Sequence, residues 1–146
     1  MHAARPKPLI SPENKVKRLA FVEEYKYCTV EAWKKVLWSK KNSVFQEDNA
    51  PVHTAKVARD FLHSKKVELL PWPLQSPDLN PIEELWSIVE SGLRKRESGP
   101  CNIRELEKMV IEEWESIPKD LYRKLISSMP SRIQVVISAK GGHTKY

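Results

Sequence analysis

Between residues 43 and 70 the chain reads as strand, helix, strand, and no other feature limits its fold as much. Ser43 to Asn49 carries the apolar pair Val44 and Phe45 and runs into the turn formers Asn49 and Pro51. From Pro51 the spacing of Val57, Ala58, Phe61 and Leu62 predicts a helix to about Ser64, and Val67 to Leu70 is a short apolar strand. Strands joined through a helix pair in parallel, which makes this an α/β chain. Asp48 then stands at the C-terminal end of a strand.

On either side of this unit the signals are helical. Pro6 and Pro8 mark an extended leader, and Ser11 caps a helix running from Pro12 to about Glu24, with Val16, Leu19, Ala20 and Glu23 near helical spacing. Thr29 caps a short helix through Trp33, and Val36 to Ser39 begins a buried strand that Lys40-Lys41-Asn42 interrupts. Beyond residue 70, Pro71, Pro73 and Pro77 stiffen a loop leading to Asn80 as N-cap and Pro81 as first helical residue. Ile82, Leu85, Trp86 and Val89 form the expected inward stripe, and Arg94-Lys95-Arg96 complements the dipole in the last turn. A further helix starts at Asn102 with Glu105 in capping-box position and Leu106, Met109, Val110 and Trp114 as its stripe. Pro118 restarts a helix holding Leu121, Tyr122, Leu125, Ile126 and Met129, and Pro130 opens a basic tail, Ser131 to Tyr146.

With 146 residues, 40% of them hydrophobic and 30% charged, the chain suits a single globular domain. No uncharged apolar run approaches the roughly 20 residues of a membrane span, and the first residues contain no apolar signal core, so no membrane role is expected. Cys28 and Cys101 lack the spacing of a zinc site or a disulfide framework. The net charge of +6 is unevenly placed: residues 1–46 hold ten Lys/Arg against four Asp/Glu, whereas residues 47–146 hold fifteen of each. Such a basic arm suits a polyanion. Arg5, Lys7, Lys15, Lys17 and Arg18 are its candidate DNA contacts, together with Arg94, Lys95 and Arg96; a solvated basic surface is the plain alternative.

Two acidic residues lie inside distinctive motifs. Asp48 belongs to Gln46-Glu47-Asp48-Asn49-Ala50-Pro51-Val52-His53-Thr54, and Glu83 to Ser76-Pro77-Asp78-Leu79-Asn80-Pro81-Ile82-Glu83, with 34 residues between the two acids. A carboxylate ending a strand and another opening a helix can converge on divalent metal for phosphoryl transfer. Each also has a structural role open to it, Asp48 as a turn former and Glu83 as half of a capping box. Glu47 and Glu84, beside the motif acids, are expected to face elsewhere, and Trp72 and Trp86 to pack in the core rather than stack on bases. His53, close to Asp48, stays outside the catalytic set.

These motifs, with Thr29 to Ser39 and the closing Thr144-Lys145-Tyr146, resemble the catalytic domain of mariner-superfamily DNA transposases of the Tc-like branch. The resemblance implies a ribonuclease H-like fold with C-terminal helices and an Asp, Asp, Glu triad that binds two Mg²⁺ or Mn²⁺ ions to cut and join DNA. Asp48 matches the second Asp and Glu83 the Glu, making them the catalytic and metal-binding pair, while Lys40 stands where the first Asp would follow Trp38-Ser39. The long stretch that separates these motifs in the family is reduced to Lys40 to Phe45, and the helix-turn-helix region that precedes the domain has no counterpart. The expectation is therefore a truncated α/β domain: residues 1–42 as a basic segment with a remnant of the first catalytic strand, and residues 43–146 as the C-terminal part of the domain. So short a link should also prevent Val36–Ser39 from pairing in parallel with Val44–Asp48, leaving an edge on the second strand.

The resemblance implies a nuclear protein concerned with transposition and DNA integration, without a small-molecule substrate. The missing Asp makes the retained metal site vestigial and cleavage by this chain alone unexpected. Two alternatives stand beside that reading. One is a non-catalytic module that binds DNA, an intact transposase or its own copies; the other is the product of a decayed element.

Overall fold

The computed structural model describes residues 9–36, 44–47, 50 and 54–146. Lys40, Asp48, His53, Arg5 and Lys7 lie outside them. In chain order the elements are α1 (Pro12–Tyr25), α2 (Val30–Trp33), β1 (Val44–Phe45), α3 (Lys56–Ser64), β2 (Glu68–Leu69), a 3₁₀ turn (Pro77–Leu79), α4 (Ile82–Lys95), α5 (Ile103–Ser116), α6 (Lys119–Ser127) and α7 (Met129–Ser138). β1 and β2 pair in parallel, Val44 opposite Glu68 and Phe45 opposite Leu69, so the strand, helix, strand reading holds. Among the described residues no helix is long and apolar enough to cross a membrane.

Helix starts follow local chemistry. Ser11 Oγ accepts from the Asn14 amide at 3.2 Å, Thr29 Oγ1 from the Ala32 amide at 3.2 Å, and Asn102 Oδ1 from the Glu105 amide at 2.9 Å. Glu105 Oε2 accepts in turn from the Cys101 amide at 2.7 Å, one residue before the position a capping box uses.

The interior differs from the expected pattern in three places. In α1 the buried residues are Arg18, Phe21 and Val22, while Val16 is 66% exposed. Arg18, Phe21, Val22 and Tyr25 lie at i, i+3, i+4 and i+7, a regular inward stripe disguised by its opening arginine. Next, Val36 does bridge Val44 in parallel. The dozen-residue minimum governs a crossover between full strands, whereas one bridge asks only that residue 44 return beside residue 36, within reach of a seven-residue link whose extended length is about 25 Å. The described part of β1 therefore has a neighbour on both sides, at Val44. Lastly, the tail after Pro130 is largely α7: the proline sits in the first helical turn, where its missing N–H costs nothing, and Arg132, Ile133 and Val136 are buried.

Two apolar clusters result. The larger joins Phe21 and Val22 of α1, Trp33 of α2, Leu70, Trp72 and Leu79 of the following loop, and Met129, Ile133 and Val136 of α7. The smaller packs Leu85 and Val89 of α4 against Ile117 and Leu125, with Trp114 and Tyr122 at its edge. At the end of α7, Gly141 has φ +75°, its amide donates to Val136 O at 3.0 Å, and a Cβ there would run into the Lys15 carbonyl of α1. Only glycine accepts both that dihedral and that approach.

Candidate catalytic cleft and the Asp78 hub

The Trp72 to Ile82 loop delivers two acids to different environments. Asn80 governs the second. Its Oδ1 accepts from the Ile82 amide at 3.3 Å, and its Nδ2 donates to Glu83 Oε1 at 3.3 Å. The expected box thus closes between two side chains rather than through the Asn80 backbone. Glu83 remains exposed on the first turn of α4.

Described residues on both sides of positions 48 and 49 share clefts with Glu83. Gln46 and Glu47 line a cavity of about 230 Å³ with Asn80, Glu83 and Trp86. Ala50 lines another, of about 260 Å³, with the Trp72 to Pro77 loop, Asn80 and Glu83. The two sequence motifs therefore meet. Glu47, expected to face elsewhere, lines this cleft and also a second one beside α1 with Lys17, Phe21 and Glu24. Glu84 does face elsewhere: its Oε2 lies 3.1 Å from Arg132 Nη2. Among the described residues, no group of three His, Cys, Asp or Glu side chains is arranged to hold a metal ion.

Asp78 is turned inward and buried, and it closes a network that local reading did not find. Arg18 Nη1 donates to Asp78 Oδ1 at 2.8 Å and Nη2 to Oδ2 at 2.7 Å, a two-pronged pair with the guanidinium fully buried. Arg18 also donates from Nε to Gly141 O at 2.9 Å and from Nη2 to Gly142 O at 3.1 Å, while Nη1 is shared with Gln75 O and Ser76 Oγ, both at 2.9 Å. Thr144 Oγ1 donates to Asp78 Oδ2 at 2.9 Å, and Arg132 Nη1 to the Asp78 carbonyl at 2.9 Å. Burial pushes the Asp78 carboxyl upward, but the hydrogen bonds and charge of Arg18 and the Thr144 hydroxyl outweigh it, leaving the group below its ordinary value of 3.8. Burial also lowers Arg132, against the opposing pull of Glu84 and Tyr146, whose ring centroid lies 4.5 Å from its guanidinium carbon. One carboxylate thereby ties α1, the motif loop and the C-terminal residues together. Its position in the Ser76 to Glu83 motif, and the shared closing Thr144-Lys145-Tyr146, were the available signals.

The DNA-contact candidates divide. Lys15 and Lys17 are exposed on α1, Lys17 beside Glu13 at 2.6 Å, and Arg94 and Lys95 are exposed at the end of α4. Arg18 cannot reach a phosphate, since it is buried and its donors are taken. Arg96 is held across the α4–α5 seam by Glu112 at 2.9 Å and Glu113 at 2.8 Å. Of the tryptophans, Trp72 packs in the core as expected, but Trp86 is 46% exposed, since it borders the cleft.

Residues 10–104 match the DDE superfamily endonuclease family. The chain is 44% identical over 103 residues to the transposable element Tcb2 transposase of Caenorhabditis briggsae, covering 70% of this chain and 37% of that protein. It is 45% identical over 105 residues to the Tc1 transposase of Caenorhabditis elegans, with the same coverage, 70% and 37%. The chain thus spans little more than a third of these relatives' length. Its fold is similar to the crystal structure of the catalytic domain of Mos1 mariner transposase, with a TM-score of 0.63 and 22% identity, over 94% of this chain and 65% of that one. A Mos1 paired end complex with Mn matches at a TM-score of 0.59 and 28% identity, over 70% of this chain and 30% of that one. The chain belongs to the DDE superfamily endonucleases, in their Tc/mariner branch, and has the ribonuclease H-like fold of a transposase catalytic domain.

Proposed function

We propose that this chain is the C-terminal part of a Tc-like transposase catalytic domain, acts on DNA in the nucleus, and does not cleave DNA alone. The observation that carries the reading is the meeting of the two motifs: Gln46, Glu47 and Ala50, around position 48, share clefts with Glu83. On this reading Asp48 and Glu83 are two of three catalytic carboxylates. Family chemistry would use two Mg²⁺ or Mn²⁺ ions to activate a water or a DNA 3′-hydroxyl and to stabilise the leaving oxygen. The residues at hand do not fit a two-metal centre, because the sequence has Lys40 where the third carboxylate belongs. An ammonium in place of a carboxylate changes the local charge by two units in the unfavourable direction. Incubating the purified chain with element-end DNA and Mg²⁺ or Mn²⁺ tests this: no cleavage is expected, and cleavage that Asp48→Ala abolishes would overturn the reading.

The exposed cations favour a second reading, a non-catalytic module that binds DNA or an intact transposase. Lys15, Lys17, Arg94 and Lys95 stay on the surface although Arg18 and Arg96 are withdrawn. DNA affinity that falls with salt and is unchanged by Asp48→Ala and Glu83→Ala would support it. Absence of binding at low salt would count against it.

A further inference from the structure

We propose that the cleft between the end of β1 and the first turn of α4 is a nucleobase site, in which an unpaired DNA base stacks on Trp86 and is hydrogen-bonded by Gln46. The proposal rests on the chain acting on DNA. Gln46 is 7% exposed, yet its Nε2 has no hydrogen-bond partner among the described residues. An unmet buried donor is costly and rare, and it marks where a partner is missing. Gln46 is among the residues that line the 230 Å³ cleft. The neighbouring amide of Asn80 is already committed to Ile82 and Glu83.

Trp86 supplies the flat wall. Its ring is braced by Trp114, 5.0 Å away between centroids, and Trp114 in turn meets Tyr122 at 6.4 Å. A fixed, 46% exposed indole is a stacking platform that orders little on binding. Charge separates a base from a phosphate. The charged side chains among the described lining residues are the carboxylates of Glu47 and Glu83, which repel a phosphodiester but accept hydrogen bonds from the amino groups of adenine or cytosine. A glutamine amide, two acceptors and an indole face together match a neutral, amino-bearing heterocycle.

The test compares labelled duplexes by fluorescence anisotropy at low salt: blunt, with a short single-stranded overhang, and with an overhang of the same length made of abasic nucleotides. The expected result is that the normal overhang binds roughly five- to a hundredfold tighter than either control. Gln46→Leu and Trp86→Leu should each bring that ratio toward one, and Trp86→Phe should keep most of it, with thermal melting confirming that each variant folds. The abasic control needs no variant, so the outcome does not depend on any substitution being tolerated. Equal binding of normal and abasic overhangs overturns the base site while leaving DNA binding intact. A preference that survives both leucine variants puts the base elsewhere and also overturns it. Failure to bind any duplex overturns the DNA reading, and the site with it.

Discussion

The two sides of the motif loop are held very differently. On one side, α1, the 3₁₀ turn, α7 and the C-terminal residues close around Asp78, with Arg18, Leu79, Met129, Ile133 and Val136 all at or below 1% exposure. On the other, β1 and β2 are two-residue strands, α3 has no buried residue, and Val57 and Phe61 are 82% and 60% exposed. The stability of this domain resides on the Asp78 side. β1, β2 and α3 contribute little burial, whereas the loop leading into Glu83 is fastened to α1 and to the C-terminal residues through a neighbouring acid, Asp78.

The largest effect should come from Arg18→Met. It leaves the Asp78 carboxylate buried without its partner, and urea unfolding should register a loss of about 3–5 kcal/mol. Acid should erode the same contact. Because Asp78 is depressed in the folded state, its contribution is complete above the ordinary value of 3.8 and is lost as pH falls through the lower folded value. A stability profile measured downward from pH 6 should therefore drop below about 4 in the parent, and less steeply in a variant lacking Asp78. Gly141→Ala, which meets both a positive φ and the Lys15 carbonyl, should cost about 1–3 kcal/mol in thermal melting. Smallest of all, Phe61→Ser on α3 should stay within about 0.5 kcal/mol of the parent by urea unfolding. A large loss there would mean that α3 carries stability its exposure does not show.

Local chemistry made part of this fold legible. The caps at Ser11, Thr29 and Asn102, the parallel strand, helix, strand unit and the α4 stripe at Leu85 and Val89 depend on neighbours a few residues apart, and they stand where the sequence puts them. Arg18 looks like a surface cation in the sequence because its acceptors are long-range, 57 to 124 residues away in the chain. Asp78 passed as one letter of a catalytic motif for the same reason. Val36 against Val44 failed because a rule for complete strands does not govern one bridge, and α7 was obscured by Pro130, a residue that ends helices but also starts them. Glu83 beside the Asp48 segment was readable only as two motifs; the clefts between them required the fold.

One motif carries a division of labour, with Asp78 holding the domain together and Glu83 left at the cleft. Asp78→Asn and Glu83→Gln, each removing one charge with little change of shape, test it most directly when both are unfolded in urea beside the parent. A loss of about 3 kcal/mol or more is expected for Asp78→Asn and less than about 1 kcal/mol for Glu83→Gln. Equal losses, or a larger one at Glu83, would contradict it.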